Sequence, residues 1–245
     1  MIVNSTPTGY EVITHYAHGL QAAQIAHNIK PELRSPQWTS MLCAIMEHDD
    51  EQLNFERNNN ISATGKPLDF TMIKPKPDDV LARCKRVINM ARHRSGWVAL
   101  MIAIHIEFLY KAEFNDDKKL ASFFEELHEL KKKLRKNYKI NEQQSLEYYE
   151  ILRFCDRVSL IISQDKIPSN QRKIEVNKSI DESTYYLFEN SDGICIEPWP
   201  FHCKKFTVTS EVYTLLDMKF DSSKHLQDYL LEQTPELRNW QFVEE

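Results

Sequence analysis

Side chains able to bind a metal occur where helical spacing turns them toward the interior. The stretch MLCAIMEHDD at residues 41–50 ends an apolar helical run in a His-Asp-Asp cluster. Its apolar residues recur every three or four positions, and the same stripe puts His48 and Asp49 on or beside the buried face. Such groups are seldom buried without a hydrogen bond, an ion pair or a metal. The pair therefore predicts a partner, and a metal ion is one candidate.

Three other predicted helices each offer one more inward group of this kind. His18 shares a face with apolar residues of the first helix, and His105 lies in the middle of WVALMIAIHIEFLY, which is apolar nearly all round. Asp156 lies among apolar neighbours in a helix predicted for residues 141–163. Imidazole and carboxylate without thiolate suit one or two ions of Mn, Fe, Co, Ni or Zn in a site with open positions. The candidate ligands are His18, His48, Asp49, His105 and Asp156.

Each of these residues also has an ordinary structural interpretation. A His-Asp pair occurs by chance in many proteins, and a buried histidine such as His105 can simply donate to a backbone carbonyl. Asp156 could pair with Arg157, although adjacent helical residues point about 100° apart. The metal interpretation gains weight only because the groups come from four separate helices.

The elements that position these groups are predicted to be mainly helical. The chain has 245 residues, 42% of them hydrophobic, and only 5 glycines, which favours one helix-rich domain over residues 1–245. Alternation at residues 1–14 predicts a two-stranded ribbon, and the segments after residue 170 predict a meander of strands. We therefore expect an α+β fold with a helical body at about 15–165 and a small antiparallel sheet. That sheet would be built from the N- and C-terminal strands, at about 1–14 and 170–245.

Charge and cysteine usage exclude several kinds of partner. The net charge of -5 and the pI of 6.0 provide no basic field for nucleic acid. The most apolar segment, residues 97–106, is about half the ~20 residues needed to cross a bilayer, so no membrane partner is expected. The 5 cysteines are scattered without a CxxC pair, and no signal sequence is evident at the start. A cytoplasmic location is the expectation.

The order of these motifs resembles the HD-type metal-dependent phosphohydrolase superfamily: a His, an adjacent His-Asp, then a distant Asp in CDRVS. More closely, the chain resembles an uncharacterised bacterial family known only as a domain of unknown function. The motifs in its order are ITHYAHGLQAA, IMEHDDEQ, ATGKPLDF, IAIHIEFLY, CDRVSL and EPWPF. The resemblance implies an HD-like helical bundle. It also implies direct metal ligation by His18, His48, Asp49 and Asp156, with His105 as an added ligand or a group that supports one.

The function expected from this site is metal-dependent hydrolysis of a phosphoester or nucleotide-like small molecule. Asp50, just beyond the ligands, could orient or deprotonate the attacking water. A phosphate group needs a cation, for which Lys66 and Arg153 are the candidates. Lys66 lies in the long segment at residues 54–76, which could form a lid. The substrate and the oligomeric state stay open.

Two other functions remain compatible with the sequence. A cage that holds two irons could activate oxygen, with His105 supplying the extra ligand, as in di-iron HD-type oxygenases. Alternatively, the protein is a non-catalytic binding module on an HD-like scaffold, whose C-terminal sheet presents Trp199, Phe201 and Trp240 to a partner. Metal analysis distinguishes these three functions.

Overall fold

The fold combines a layer of helices with one large mixed sheet. The structure is a computed structural model that describes all residues except 52–54, 56–59, 179, 181–182 and 217–218. Its described helices are α1 (His15–His27), α2 (Trp38–Glu47), α3 (Pro77–Arg94), α4 (Gly96–Phe114), α5 (Lys118–Tyr138), α6 (Glu142–Ser163) and α7 (Ser223–Glu232). The strands are β1 (Ile2–Thr6), β2 (Gly9–Ile13), β3 (Ile174–Lys178), β4 (Thr184–Asn190), β5 (Gly193–Glu197), β6 (Lys205–Leu216) and β7 (Glu236–Val243).

The sheet has the strand order β1-β2-β6-β7-β5-β4-β3. All neighbouring strands are antiparallel except β5 and β7, which run parallel. Strands from the two ends of the chain thus lie in one sheet, because β2 pairs with β6 over four residues of each strand.

The predicted fold class, an HD-like helical bundle with a small antiparallel sheet, is wrong. The described chain forms a seven-stranded mixed sheet curled into a half-barrel, with 22% strand and 52% helix. The C-terminal segment is one reason, because β7 inserts between β5 and β6 and replaces the predicted meander. The second reason is β3, a short strand in a charged segment where no strand was predicted.

Local sequence explains where the site-bearing helices begin. The Thr14 side chain accepts from the Ala17 amide and caps α1, and Ser95 does the same for α4 through Val98. Asn141 starts α6 with a full capping box. Helix α4 is buried without a break from Trp97 to Ile106, as expected for a central helix.

Helices α1 and α2 pack unusually closely, and Gly19 makes this possible. A Cβ atom at Gly19 would lie 2.1 Å from the backbone oxygen of Met46. His18 precedes this contact on α1, and His48 follows it at the C-terminal end of α2. The glycine therefore sets the separation of the two helices that carry the first two candidate ligands.

The C-terminal aromatic residues mostly face the interior. Phe201 is 1% exposed and packs edge-on against Trp199, with ring centroids 4.8 Å apart. Trp199 and Trp240 are partly buried against the main core. All 5 cysteines carry free thiols. Among the described residues, no helix combines the length and the apolar composition needed to cross a bilayer.

Candidate metal centre

The structure brings all five predicted ligand residues into one cluster between α1, α2, α4 and α6. His18, His48 and His105 are 0%, 1% and 1% exposed, and Asp49 is 8% exposed. Asp156 reaches the cluster from α6, where it is the more accessible member. The imidazole rings form a chain, with centroids 5.3 Å apart between His18 and His48 and 5.1 Å apart between His48 and His105.

Two contacts of this cluster have the spacing of neighbouring ligand atoms around one ion. His18 Nε2 and His48 Nε2 lie 3.1 and 3.2 Å from the same oxygen, Asp156 Oδ1. His48 Nε2 lies 3.7 Å from Asp49 Oδ2. One ligand atom each from His18, His48 and Asp49 lies within 4.8 Å of the others. Atoms about 2.1 Å from one ion, at angles of about 90–110°, are about 3.0–3.4 Å apart.

The hydrogen bond of His48 fixes which of its nitrogens faces the cluster. Its Nδ1 lies 2.6 Å from the backbone oxygen of Ile45, which can only accept, so Nδ1 carries a hydrogen. In the neutral ring, Nε2 then presents a lone pair to the carboxylate of Asp156. This Nε2 makes no hydrogen bond within the described residues, although it is buried.

A serine and a glutamine orient His18 in the same way. Ser159 Oγ lies 2.8 Å from His18 Nδ1, and its other neighbours are Gln21 Oε1 at 2.7 Å and the His18 carbonyl oxygen at 3.1 Å. When the hydroxyl hydrogen goes to one of these two acceptors, His18 Nδ1 donates to Ser159 and Nε2 carries a lone pair, which is the tautomer that metal binding requires. When Nδ1 accepts from Ser159 instead, Nε2 donates to Asp156 Oδ1 at 3.1 Å.

Without a cation, two imidazole lone pairs and a carboxylate would repel one another in this buried space. Burial lowers the pKa of His48, but Asp49 and Asp156 outweigh burial and raise it to about 9. Burial favours protonation of Asp49 and Asp156 as well, yet the facing histidines hold both carboxyl pKa values well below their usual range. The cluster thus demands positive charge, which either a proton on His48 or a metal ion can supply.

His105 contacts the cluster through His48 and Asp49. Its Nε2 lies 4.0 Å from Asp49 Oδ1, and its Nδ1 lies 3.0 Å from the Tyr149 hydroxyl. Burial lowers the pKa of His105 and raises that of Tyr149. A neutral His105 can therefore support Asp49 or serve as a further ligand, which are the two roles predicted for it.

The three predicted catalytic residues do not join this cluster. Asp50 lines a crevice with Glu47 and Arg94, and burial together with Glu47 raises the pKa of Asp50 to about 6. Arg153 pairs with Glu150 at 2.6 Å. Lys66 is exposed, in a turn where its carbonyl oxygen accepts from the Ser62 amide.

The described part of the predicted lid is held by hydrogen bonds to other parts of the chain. Gly65 accepts from the Phe220 amide, and Asp69 accepts from the Val3 amide at 2.9 Å. The backbone amide of Asn60 donates to the Ser223 hydroxyl. Residues 52–54 and 56–59, which include part of the predicted lid, lie outside the described residues. The segment from residue 60 onward is thus tied to the sheet and α7.

Four residues near the cluster were not assigned a role from the sequence. His15 is 2% exposed, although it precedes the inward stripe of α1. Arg83 on α3 places Nη2 3.9 Å from Asp49 Oδ1. Ser159 contacts His18 Nδ1, and Gln21 accepts from the Ser159 hydroxyl. Helical spacing could have identified three of them: His15 and Gln21 lie three residues either side of His18, and Ser159 lies three residues after Asp156.

Replacing Ser159 with alanine should weaken metal binding by about 10–100-fold while the protein stays folded, because outer partners of a ligand imidazole have effects of this size. The matched control is Ser163→Ala. Ser163 also donates to Gln21 Oε1, at 2.7 Å, but it does not contact His18. Calorimetric titration of chelator-treated protein with Mn²⁺ measures both variants. Equal losses of metal affinity in the two variants would show that Ser159 does not support His18.

A family model described as "Protein of unknown function (DUF3891)" matches residues 1–217. No curated protein and no solved structure matches the chain. The matched region contains every member of the cluster, including His15, Arg83 and Ser159.

Proposed function

The chain belongs to the family described as "Protein of unknown function (DUF3891)", and from its buried cluster we propose a metal-dependent hydrolase of a phosphoester or nucleotide-like small molecule. The ligands of one or two divalent transition-metal ions would be His18, His48, Asp49 and Asp156. One observation carries the proposal: Nε2 of both histidines faces one carboxylate oxygen, Asp156 Oδ1, at 3.1 and 3.2 Å, while each Nδ1 lies within hydrogen-bond distance of another oxygen.

The donor set fits Mn, Fe, Co, Ni or Zn. It offers imidazole nitrogen and carboxylate oxygen, and the site is partly open because the Asp156 side chain is 17% exposed. The nearest cysteine in sequence, Cys155, is buried, and burial together with Asp156 raises its thiol pKa well above the usual value. Cys155 is therefore a protonated thiol and not a thiolate ligand.

Hydrolysis of a phosphoester adds water across the P–O bond and gives an alcohol and phosphate, with no change of oxidation state. When bound, a divalent metal supplies Lewis acidity toward a phosphoryl oxygen and makes water more acidic. The histidines and carboxylates of this chain hold that ion, while Ser159 and the Ile45 carbonyl fix the two ring orientations. His105 and Arg83 flank Asp49, with nitrogen atoms 4.0 and 3.9 Å from its Oδ1.

The order of the ligands along the chain also supports a hydrolase. A single His, an adjacent His-Asp pair and a distant Asp in a CDRVS helix resemble the metal motif of HD-type phosphohydrolases. This resemblance concerns the ligand order alone, because the sheet of this protein differs from the bundle that the resemblance implied. It is the reason for preferring phosphoester hydrolysis over other reactions of a His/Asp cage.

A di-iron oxygenase is the second candidate, and one observation favours it. His105 Nε2 is buried, has no hydrogen-bond partner among the described residues and lies 4.0 Å from Asp49 Oδ1. Asp49 and His105 would thus be the residues that hold a second ion. Two irons per chain with oxygen uptake would support this function, whereas Mn, Co or Ni with phosphatase turnover would support the hydrolase.

Asp49→Asn should lower metal affinity by more than about 100-fold, because an amide is a much poorer ligand of the same shape. The matched control is Asp50→Asn, which makes the same change at the next residue, beside Glu47 and Arg94. Metal content by mass spectrometry, hydrolysis of p-nitrophenyl phosphate and circular dichroism are measured on both variants.

We expect wild type and Asp50→Asn to retain metal, and Asp49→Asn to lose metal and turnover while its helical signal is unchanged. Full metal occupancy in Asp49→Asn would exclude Asp49 as a ligand. Wild-type protein that takes up none of the five metals would overturn the proposed function.

A further inference from the structure

The guanidinium of Arg83 lies beside the cluster, and only some of its N–H groups donate hydrogen bonds to the described residues. Its side chain is 12% exposed, and it is held in place from two directions. Its Nε donates to the Asp50 carbonyl oxygen at 3.3 Å, and its Nη1 donates to the Tyr110 hydroxyl. The remaining Nη2 lies 3.9 Å from Asp49 Oδ1, which is too far for a hydrogen bond. Among the described residues Nη2 thus makes no hydrogen bond, and its N–H donors lie beside the cluster.

His15 provides a second unused donor in the same buried region. Its Nδ1 lies 2.9 Å from the Met1 amino nitrogen; when that group is an ammonium it can only donate, which leaves the hydrogen of the neutral ring on Nε2. That Nε2 is buried and has no hydrogen-bond partner within the described residues. His15 lies three residues before His18 on α1, and the two rings thus share a helix face.

The position of His15, one turn before His18 on α1, places it beside the cluster that Arg83 approaches from α3. Burial first, and then the chain's amino group, lower the pKa of His15. The other groups that act on this pKa are Asp49, His18 and Arg83. The unused donors of Arg83 and His15 therefore border the candidate metal ligands, and a buried donor without a partner is unfavourable unless a ligand supplies the acceptor.

We propose that Arg83 and His15 form an oxyanion subsite beside the metal ligands, which binds the terminal phosphoryl group of a phosphomonoester. Arg83 and His15 each donate to one non-bridging oxygen, and the third such oxygen faces the candidate metal site. A phosphomonoester has three non-bridging oxygens whereas a phosphodiester has two, so three recognition points favour the monoester. A planar guanidinium is well suited to phosphate oxygens. This inference rests on the proposed function and names the substrate group it would act on.

Binding of inorganic phosphate to the full-length, Mn²⁺-loaded protein tests the subsite. Calorimetry is performed with phosphate and with dimethyl phosphate, which has only two non-bridging oxygens, and metal content is measured on each sample. Arg83→Met should lower phosphate affinity by at least about 10-fold, the effect of losing a hydrogen bond to a charged group. His15→Phe should lower it as well, and neither change should reduce metal content.

Arg86→Met is the matched control, because Arg86 lies one turn further along α3 and pairs with Glu51 at 2.9 Å. Arg153→Met tests the cation predicted from the sequence. Both variants should bind phosphate within about twofold of wild type.

Different results contradict the phosphate subsite and the metal-dependent hydrolase. Wild-type protein that binds metal but no phosphate, or that binds dimethyl phosphate as tightly as phosphate, overturns the subsite alone. Metal-loaded Arg83→Met with wild-type phosphate affinity also overturns it. If Arg83→Met loses its metal, Arg83→Lys is measured in its place, because lysine keeps a positive charge beside Asp49. An Arg83→Lys protein with wild-type phosphate affinity overturns the subsite. Wild type without metal affinity overturns the proposed function itself.

Discussion

Replacing Asp156 with asparagine is expected to abolish metal binding and hydrolysis while leaving the metal-free protein folded. Asp156 Oδ1 is the one oxygen that contacts both His18 Nε2 and His48 Nε2. An asparagine amide in its place can donate a hydrogen to one of these lone pairs, so it satisfies the apo cluster but binds metal poorly. The metal-free variant should therefore be about as stable as metal-free wild type.

Thermal melts with and without chelator measure this effect. Ligand binding at about 100 times Kd stabilises a protein by about 2.7 kcal/mol, so chelator should lower the wild-type Tm and leave that of Asp156→Asn unchanged. Glu150→Gln is the matched control. It makes the same change on α6, where Glu150 faces Arg153 and not the cluster.

The structural alternative predicts a different pattern. If Asp156 only neutralises a protonated His48, its loss leaves a buried charge without a partner. Removing one member of a buried ion pair typically costs about 3–5 kcal/mol. The Asp156→Asn protein would then have a lower Tm than wild type both with and without chelator, and chelator would not change the wild-type Tm.

Gly19→Ala is expected to destabilise the protein strongly and to reduce metal binding at the same time. The added Cβ would lie 2.1 Å from the Met46 backbone oxygen, so α1 and α2 must move apart. Overpacking of this kind costs about 3 kcal/mol or more, which outweighs the gain of about 1 kcal/mol from helix propensity. Because His18 and His48 lie on these two helices, their Nε2 atoms separate as well.

A net loss of about 2 kcal/mol corresponds to a decrease in Tm of about 4–8 °C for a chain of this size. The control is Gly96→Ala, where the new Cβ meets only the ends of side chains, Leu134 Cδ2 at 3.0 Å and Tyr138 Oη at 3.1 Å. A Gly19→Ala protein with wild-type Tm and metal content would show that the helix contact does not set the site.

Helical spacing was sufficient to predict the members of the cluster but not their surroundings. His18, His48, His105 and Asp156 were found because each interrupts an apolar stripe, and a stripe shows which way a side chain points. Arg83 interrupts no stripe, and its proximity to Asp49 depends on how α3 packs against its neighbours. For the same reason the sequence suggested Lys66 and Arg153 as cations, although the structure places neither of them in the cluster.

The sheet was underestimated because strand pairing is a long-range property. Nothing within the segment RNWQFV shows that β7 would lie between β5 and β6, parallel to one and antiparallel to the other. Strand β3 is short, and its residues are held by pairing with β4 across a bulge between Glu175 and Asn177. Local alternation therefore predicted several strands correctly, while their order depended on contacts that the pattern does not encode.

The most direct test of the central claim is anomalous X-ray diffraction from crystals of the protein grown with Mn²⁺ and measured on both sides of a metal absorption edge. We expect an anomalous peak about 2.0–2.3 Å from His18 Nε2, His48 Nε2 and an oxygen of Asp156, with Asp49 also in contact. If the crystals show no peak among these atoms after soaking with Mn, Fe, Co, Ni and Zn in turn, the cluster is a structural ion-pair network and the proposed metal centre is wrong.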